Sequence, residues 1–444
     1  MRNTIAPYIA QAFLSTGRLK RLRRKAERKR RQQKAPHKVT VYLRINDPYS
    51  YLLVQVLPDL QERFAIEYEF RTILNLQEEM YPAPTMWNQN AAEDGRFLAD
   101  LYADVVPSGV TFPSSLPQSD SARDAAFTAQ LLHWELQPGY LDNALELFHA
   151  YWQNDSAKRN LLLNSAITSS VECYQQHLRA NEKLLSDNGH YLTGMLAYAG
   201  EWYWGLDRLS YLEMRLNELG IQKQPEDLKF RRTKDRFCQH ISSEALHSLR
   251  GKQKQQTITM YFSSRSPYSY LGLVRVRDLA HHYGCELVVK PVLPMVMRRM
   301  QVPNKKGRYI SLDAAREAKD YDIPFGRVAD PLGKGVENCY ALFEWASEQG
   351  KGVELLASVA KGNWAEGIRA DTRSGLKRLV ERAGLNWAEA KTRLNDDSWR
   401  LMAQQNLTEL YSHRHWGVPC FKVDNLVVFG QDRLTRIEQA LAGD

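Results

Sequence analysis

Two segments of the chain repeat one pattern of apolar and polar positions. Val39-Thr40-Val41-Tyr42-Leu43 is a β-branched and aromatic run, and so is Thr257-Ile258-Thr259-Met260-Tyr261-Phe262; such runs predict strands. Each passes through a short loop into a stretch with apolar residues at helical spacing, 52–64 and 271–283. Second strands follow at 66–72 and 286–292. Each half therefore opens β-α-β, which calls for a parallel pair joined by a right-handed crossover. The middle of each half reads as helical, for example at 125–136, 141–152, 336–347 and 374–383. Each closes with two short strands and a helix: 195–199, 202–204 and 208–219 in the first half, 420–423, 426–429 and 433–441 in the second.

Repeated words support the same division. Pro48-Tyr49-Ser50-Tyr51-Leu52 recurs as Pro267-Tyr268-Ser269-Tyr270-Leu271, a step of 219 positions, and Asp207-Arg208-Leu209 recurs as Asp432-Arg433-Leu434, a step of 225. Two ordered words at nearly one offset indicate a tandem duplication of a domain of about 190 residues. The expected fold class is α/β: two tandem thioredoxin-like domains, each with an inserted helical subdomain. The expected organisation is an N-terminal arm (1–37), a first domain (38–221), a connector (222–256) helical around 234–249, and a second domain (257–444).

Composition adds one asymmetry. The net charge is +9. Residues 18–34 hold eleven basic side chains against Glu27 alone, a net of +10, so the rest of the chain carries −1. The basicity is a local run, and it follows an apolar stretch, 5–14, that includes Pro7, Tyr8, Ile9 and Phe13. A secretory signal has its charges before the apolar run, the reverse of this order. An amphipathic basic helix on an anionic membrane surface fits residues 1–34; a solvated arm and an organelle transit peptide also stand. Nucleic acid is disfavoured, because no aromatic residues interleave with the charges. No apolar stretch reaches 18 residues, so no spanning helix is expected. The five cysteines are scattered and form no Cys-x-x-Cys. That argues against a disulfide framework, a metal site and a dithiol redox pair, and suits a reducing, cytoplasmic compartment, with the arm placing the protein peripherally at the inner membrane face.

In a thioredoxin-like fold the chemistry sits where the first strand meets the first helix. Free N–H groups and the positive end of the helix dipole favour a thiolate there. The second half places Ser266-Pro267-Tyr268-Ser269 at that point. A serine cannot form a disulfide, but its hydroxyl can hydrogen-bond a thiolate brought by a ligand; taken alone, Ser266 reads equally as a helix N-cap. Trp416-Gly417-Val418-Pro419 precedes a strand, and a proline here is typically cis, which leaves the Val418 backbone to pair with an extended peptide. Gly430-Gln431-Asp432-Arg433-Leu434 opens the last helix, where the N-terminus suits a carboxylate and Asp432 an ammonium.

With Trp364-Ala365-Glu366-Gly367-Ile368 between them, these segments give the second half a resemblance to 2-hydroxychromene-2-carboxylate isomerases, to kappa-class glutathione transferases and to the wider DsbA-like group, over about 185 residues. The resemblance implies glutathione as co-substrate along Val418 and Pro419, its thiolate held by Ser266, and its γ-glutamyl end held by Gln431 and Asp432. It implies addition of the thiolate to an unsaturated aromatic or other electrophilic small molecule. Lys305, Lys306 and Arg308 fall where the family has a basic, substrate-facing segment; a solvated basic loop is the plainer reading. Two positions depart from the family. Ser263 stands where an acidic residue is common, and Cys420 where threonine is.

The first half keeps the outline and loses both anchors: Asp47 stands where Ser266 does, and Gly194 where Pro419 does. A carboxylate facing a thiolate repels it. The expected function is thus a glutathione-dependent isomerase or transferase active in the second half, as a monomer or homodimer, with the first half structural. The rival is a non-catalytic peptide-binding scaffold held at a membrane by its arm.

Overall fold

A computed structural model describes residues 2–76, 84–117, 120–135, 137–163, 167, 171–225, 227–230 and 256–442. Two compact units divide the chain. One comprises residues 21–232, the other residues 1–20 together with 233–444. The expected helix at 234–249 lies outside the described residues.

The 1–37 stretch forms helix α1 (Arg2–Leu14) and helix α2 (Thr16–Gln32), and the division falls inside α2. Helix α1 belongs to the unit of the second half. Its Pro7 is buried, and the Arg327 guanidinium stacks 4.2 Å from the centre of the Tyr8 ring. In the other unit, Arg23 of α2 bridges Glu201 at 2.7 Å and Glu218 at 2.8 Å.

The unit of residues 21–232 is built on a sheet ordered β2-β1-β3-β4. Strand β1 (Lys38–Leu43) runs parallel to β2 (Glu67–Thr72), with helix α3 (Pro48–Arg63) as the crossover. Strands β3 (Met195–Tyr198) and β4 (Glu201–Trp204) add antiparallel. Strand β3 stops one residue short of expectation because Ala199 and Gly200 form the hairpin turn, both at positive φ (51° and 84°), the geometry that matches strand twist in a two-residue loop. The helical insertion lies between β2 and β3.

The second sheet has the same order, β6-β5-β7-β8. Strand β5 (Thr257–Phe262) pairs parallel with β6 (Glu286–Pro291), and β7 (Cys420–Val423) and β8 (Leu426–Phe429) follow antiparallel. The crossover helix is Pro267–Tyr283, ended by Gly284 at φ 69°, the left-handed stop glycine adopts without a Cβ penalty. The expected helix at 336–347 is two, Lys334–Ala341 and Phe343–Glu348. Ile258, Met260 and Phe262 of β5 pack with Leu271, Val276 and Phe421 into one core. Among the described residues no helix is long and apolar enough to cross a membrane.

The start of α3 shows what became of the first half's cleft. Asp47 caps the helix with φ −98° and ψ 118°, accepting from the Tyr49 and Ser50 N–H groups at 3.3 and 3.0 Å. The Ser50 and Thr193 hydroxyls also donate to it, at 2.6 and 3.0 Å. Gly194 presses its backbone onto the helix start: a Cβ there would stand 2.8 Å from the Tyr49 carbonyl carbon, at φ +62°. Only glycine fits so close an approach at that φ.

Burial raises the Asp47 carboxyl above its ordinary value. The folded unit therefore holds a proton that the unfolded chain releases earlier, so stability falls as pH rises from about 4 through the raised value. We predict that Asp47→Asn, which still caps the helix, flattens this fall. Urea midpoints of the wild type and variant from acid to neutral pH test it; parallel curves would refute it.

Candidate functional site

The site of the second unit is assembled from three backbone segments that meet at the start of the Pro267–Tyr283 helix. Ser266 takes the cap position with φ −98° and ψ 117°, nearly the backbone angles of Asp47. Its Oγ accepts from the Ser269 N–H at 3.1 Å and donates to the Val418 carbonyl at 3.3 Å. Ser266 is thus both the N-cap and the link to the 416–419 segment. Unlike Asp47 it is half-buried, as is Val418, so both are reachable by a ligand.

The Val418–Pro419 bond is cis, as expected. Gly417 is required by packing: a Cβ there would stand 2.7 Å from the Phe429 ring. Gly272 serves the helix in the same way, since its Cβ would meet the Phe421 ring at 2.8 Å. The loop before Ser266 is pinned from the helical subdomain, where the Trp364 indole N–H donates to the Ser264 carbonyl at 3.1 Å.

Gln431 and Asp432 lie in the short turn that leads into the last helix, Leu434–Ala442. The structure restricts what Gln431 can offer. Its side chain is buried, its Nε2 donates to Glu317 at 2.8 Å, and Arg275 donates to its carbonyl oxygens. The N–H side of this turn's backbone lies beside the Asp432 carboxylate, which stands 3.8 Å from the Arg433 guanidinium.

Of the three basic candidates, Lys306 is brought to the site. It is buried in the first turn of the Asn304–Asp320 helix, its Nζ 5.6 Å from the centre of the Trp416 ring. Burial lowers its ammonium pKa to about 8. Arg308 is exposed, its guanidinium 5.7 Å from the Phe13 ring of α1. Lys305 is half-buried beside Lys306.

Sequence reasoning missed two polar groups here. Arg298 donates to the Trp416 carbonyl at 2.9 Å, and its Nε and Nη2 are buried without a hydrogen-bond partner among the described residues. Burial lowers its pKa, so this cation too is held partly desolvated. Asn363, fully buried in the π-helical turn Gly362–Glu366, likewise has both amide atoms unpartnered among the described residues. A π-turn is common at functional sites, but no sequence pattern marks it.

Cys420 is no redox group. It is fully buried, its Sγ donates to the Gly417 carbonyl at 3.1 Å, and burial pushes its thiol well above the ordinary range. It fills space behind the site.

Residues 257–442 match the model of the DSBA-like thioredoxin domain. The 2-hydroxychromene-2-carboxylate isomerase of Sphingobium xenophagum is 26% identical over 196 residues, covering 42% of this chain and 98% of that protein. The isomerase of Pseudomonas putida is 22% identical over 192 residues, covering 41% and 93%. A solved structure of 2-hydroxychromene-2-carboxylate isomerase aligns with 42% of this chain and 95% of its own, at 22% identity and a TM-score of 0.36. Residues 257–442 are therefore a DSBA-like thioredoxin domain.

Proposed function

We propose that the second unit is a glutathione-dependent isomerase, or a kappa-type transferase, acting on an unsaturated aromatic or other electrophilic small molecule. The observation that carries this reading is Ser266: a half-exposed hydroxyl at a helix N-terminus, 3.3 Å from the Val418 carbonyl. Similarity to isomerases at 22–26% identity supports the reaction class. The absence of Cys-x-x-Cys from the sequence and the inert setting of Cys420 count against disulfide exchange.

The residues fit glutathione by the chemistry of their donors. When bound, it would supply a thiolate that adds to the electron-poor carbon and is later expelled, so that the intervening bond can rotate. Ser266 would turn its hydroxyl from Val418 to the sulfur, and the helix N-terminus would add its partial positive charge; both favour the thiolate. Val418, beside Pro419, would present its backbone to the cysteinyl residue. The turn at Gln431 would receive the γ-glutamyl carboxylate on backbone N–H groups, and Asp432 would accept the ammonium. Lys306, at the Trp416 ring, and Arg298, at the Trp416 carbonyl, would face an anionic group of the substrate or of the tripeptide's other end. Asp47 and Gly194 close the corresponding place in the first unit, which we infer to be non-catalytic.

Calorimetric titration should show about one equivalent of glutathione bound per chain. Ser266→Ala should raise the pKa of the bound thiol by about one to two units, the worth of one hydrogen bond to a charged group, and lower turnover by more than about tenfold. No binding to the intact protein would sink the reading. Lys306 gives a second test. Between about pH 8 and its ordinary value of 10.5, the unfolded chain keeps a proton that the folded one has lost, so stability rises with pH across that window. Lys306→Met should remove this rise. A carboxylate ligand at Lys306 should raise its pKa and draw in a proton near pH 8.5, making the binding enthalpy depend on the buffer's ionisation enthalpy in the wild type and not in Lys306→Met. A buffer-independent enthalpy in both would remove Lys306 from the site.

A further inference from the structure

The domain of residues 257–442 is completed by a helix from the other end of the chain. Pro7 and Leu14 of α1 are seven positions apart, so they share one face of the helix. The Pro7 Cβ lies 2.7 Å from where a Cβ on Gly367 would stand, and the Leu14 Cβ 3.9 Å from the equivalent point on Gly326. Gly367 ends the π-helical turn Gly362–Glu366 at φ 68°, and its missing Cβ lets Pro7 close on it. Two cations add to the contact. The Arg327 guanidinium lies over the Tyr8 ring, and the Arg308 guanidinium lies 5.7 Å from the centre of the Phe13 ring. Residues 1–20 and 233–444 form one compact unit, so α1 is part of the body that holds the site.

What α1 covers leads inward to Ser266. Gly326 and Ala329 donate their N–H groups to the Trp364 and Asn363 carbonyls, at 2.9 and 2.7 Å, which ties the segment under α1 to the π-turn. The Phe325 ring stacks on the Trp364 ring, with centres 5.9 Å apart and planes 7° apart. The Trp364 indole donates in turn to the Ser264 carbonyl, two positions before the cap. This last bond has a counterpart in the first unit, where the Trp152 indole donates to the Ile45 carbonyl at 2.8 Å, two positions before Asp47. There the indole stacks on Tyr51, a residue of the capped helix itself. The pin recurs in both units, and in the second it is held from behind by α1.

We propose that α1 is a positioning element of the candidate site and that Trp364 is the positioning residue through which it acts. With α1 seated, Phe325 and the π-turn hold the indole N–H on Ser264. The 264–266 loop then keeps the Ser266 hydroxyl directed at the Val418 carbonyl. A hydroxyl held in one direction meets a ligand's reacting atom without first having to be ordered, which is worth affinity or rate. The consequence for a bound thiol rests on the glutathione reading. The ordering of the ligand-free loop does not, so the two can fail separately.

Hydrogen exchange of the ligand-free, full-length protein tests the ordering. Trp364→Phe keeps a stacked ring and removes the donor. It should speed exchange of residues 263–269 by about fivefold, the worth of one hydrogen bond, and leave the β5 and β6 amides unchanged. Combined Pro7→Gln and Leu14→Gln, at the α1 contact, should speed the same stretch. Combined Ile5→Gln and Ile9→Gln, on the exposed side of α1, should not. Where glutathione binds, Trp364→Phe and the Pro7 and Leu14 pair should also raise the pKa of its thiol by about half a unit, with the stoichiometry unchanged. Unchanged exchange of 263–269 in Trp364→Phe, or in the Pro7 and Leu14 pair, overturns the proposal. So does an equal effect from the Ile5 and Ile9 pair, or a rise in exchange across the whole second unit, which would mark lost stability and not lost positioning. Exchange altered as expected in a protein that binds no glutathione would sink the proposed function and leave the ordering standing.

Discussion

A helix that begins at the edge of a sheet points N–H groups without intrahelical partners into the space there, together with a partial positive charge. What caps that end decides what the space can do. The two units pose the question at nearly the same backbone angles and answer it differently. Asp47 brings a carboxyl group and gathers four donors. Ser266 brings a neutral hydroxyl with one incoming N–H and one outgoing contact. A carboxyl so surrounded has occupied the helix end from within. A hydroxyl leaves most of that end's charge for a ligand. The adjoining segment follows the cap: with Asp47, Gly194 lets the backbone close on the helix; with Ser266, the Val418 carbonyl takes the hydroxyl's hydrogen bond and Val418 stays half-exposed.

The local parts of this arrangement were legible in the sequence. The β-branched runs, the proline at the first helical position and the capping residues are signals within a few positions of one another, and both sheets formed where those signals lie. The substitution of Asp47 for Ser266 was readable because the repeated words align the halves. What was not readable depends on distant partners. Nothing in the order Gly430-Gln431-Asp432 says that the Gln431 amide is held by Arg275 and Glu317. Nothing near Arg298 says that Trp416, more than a hundred positions on, takes its hydrogen bond. The N-terminal stretch misled for a related reason. Its charge is a property of composition, which says nothing of where Pro7 and Leu14 pack or that the stretch folds into two helices.

Lys306 shows how such a site holds a cost that a ligand can relieve. Burial works against its charge. So does its position, because the first turn of a helix is the wrong end for a cation. The ring face of Trp416 opposes these effects, and at 5.6 Å that attraction is about 1 kcal/mol. Arg298, with two nitrogens buried and unpartnered among the described residues, holds a second cation against the same tryptophan. An anion brought to either cation would reverse these effects, favouring the charge on Lys306 or pairing the guanidinium. On the proposed function, that relief would favour a substrate with an anionic group over a neutral electrophile of the same shape.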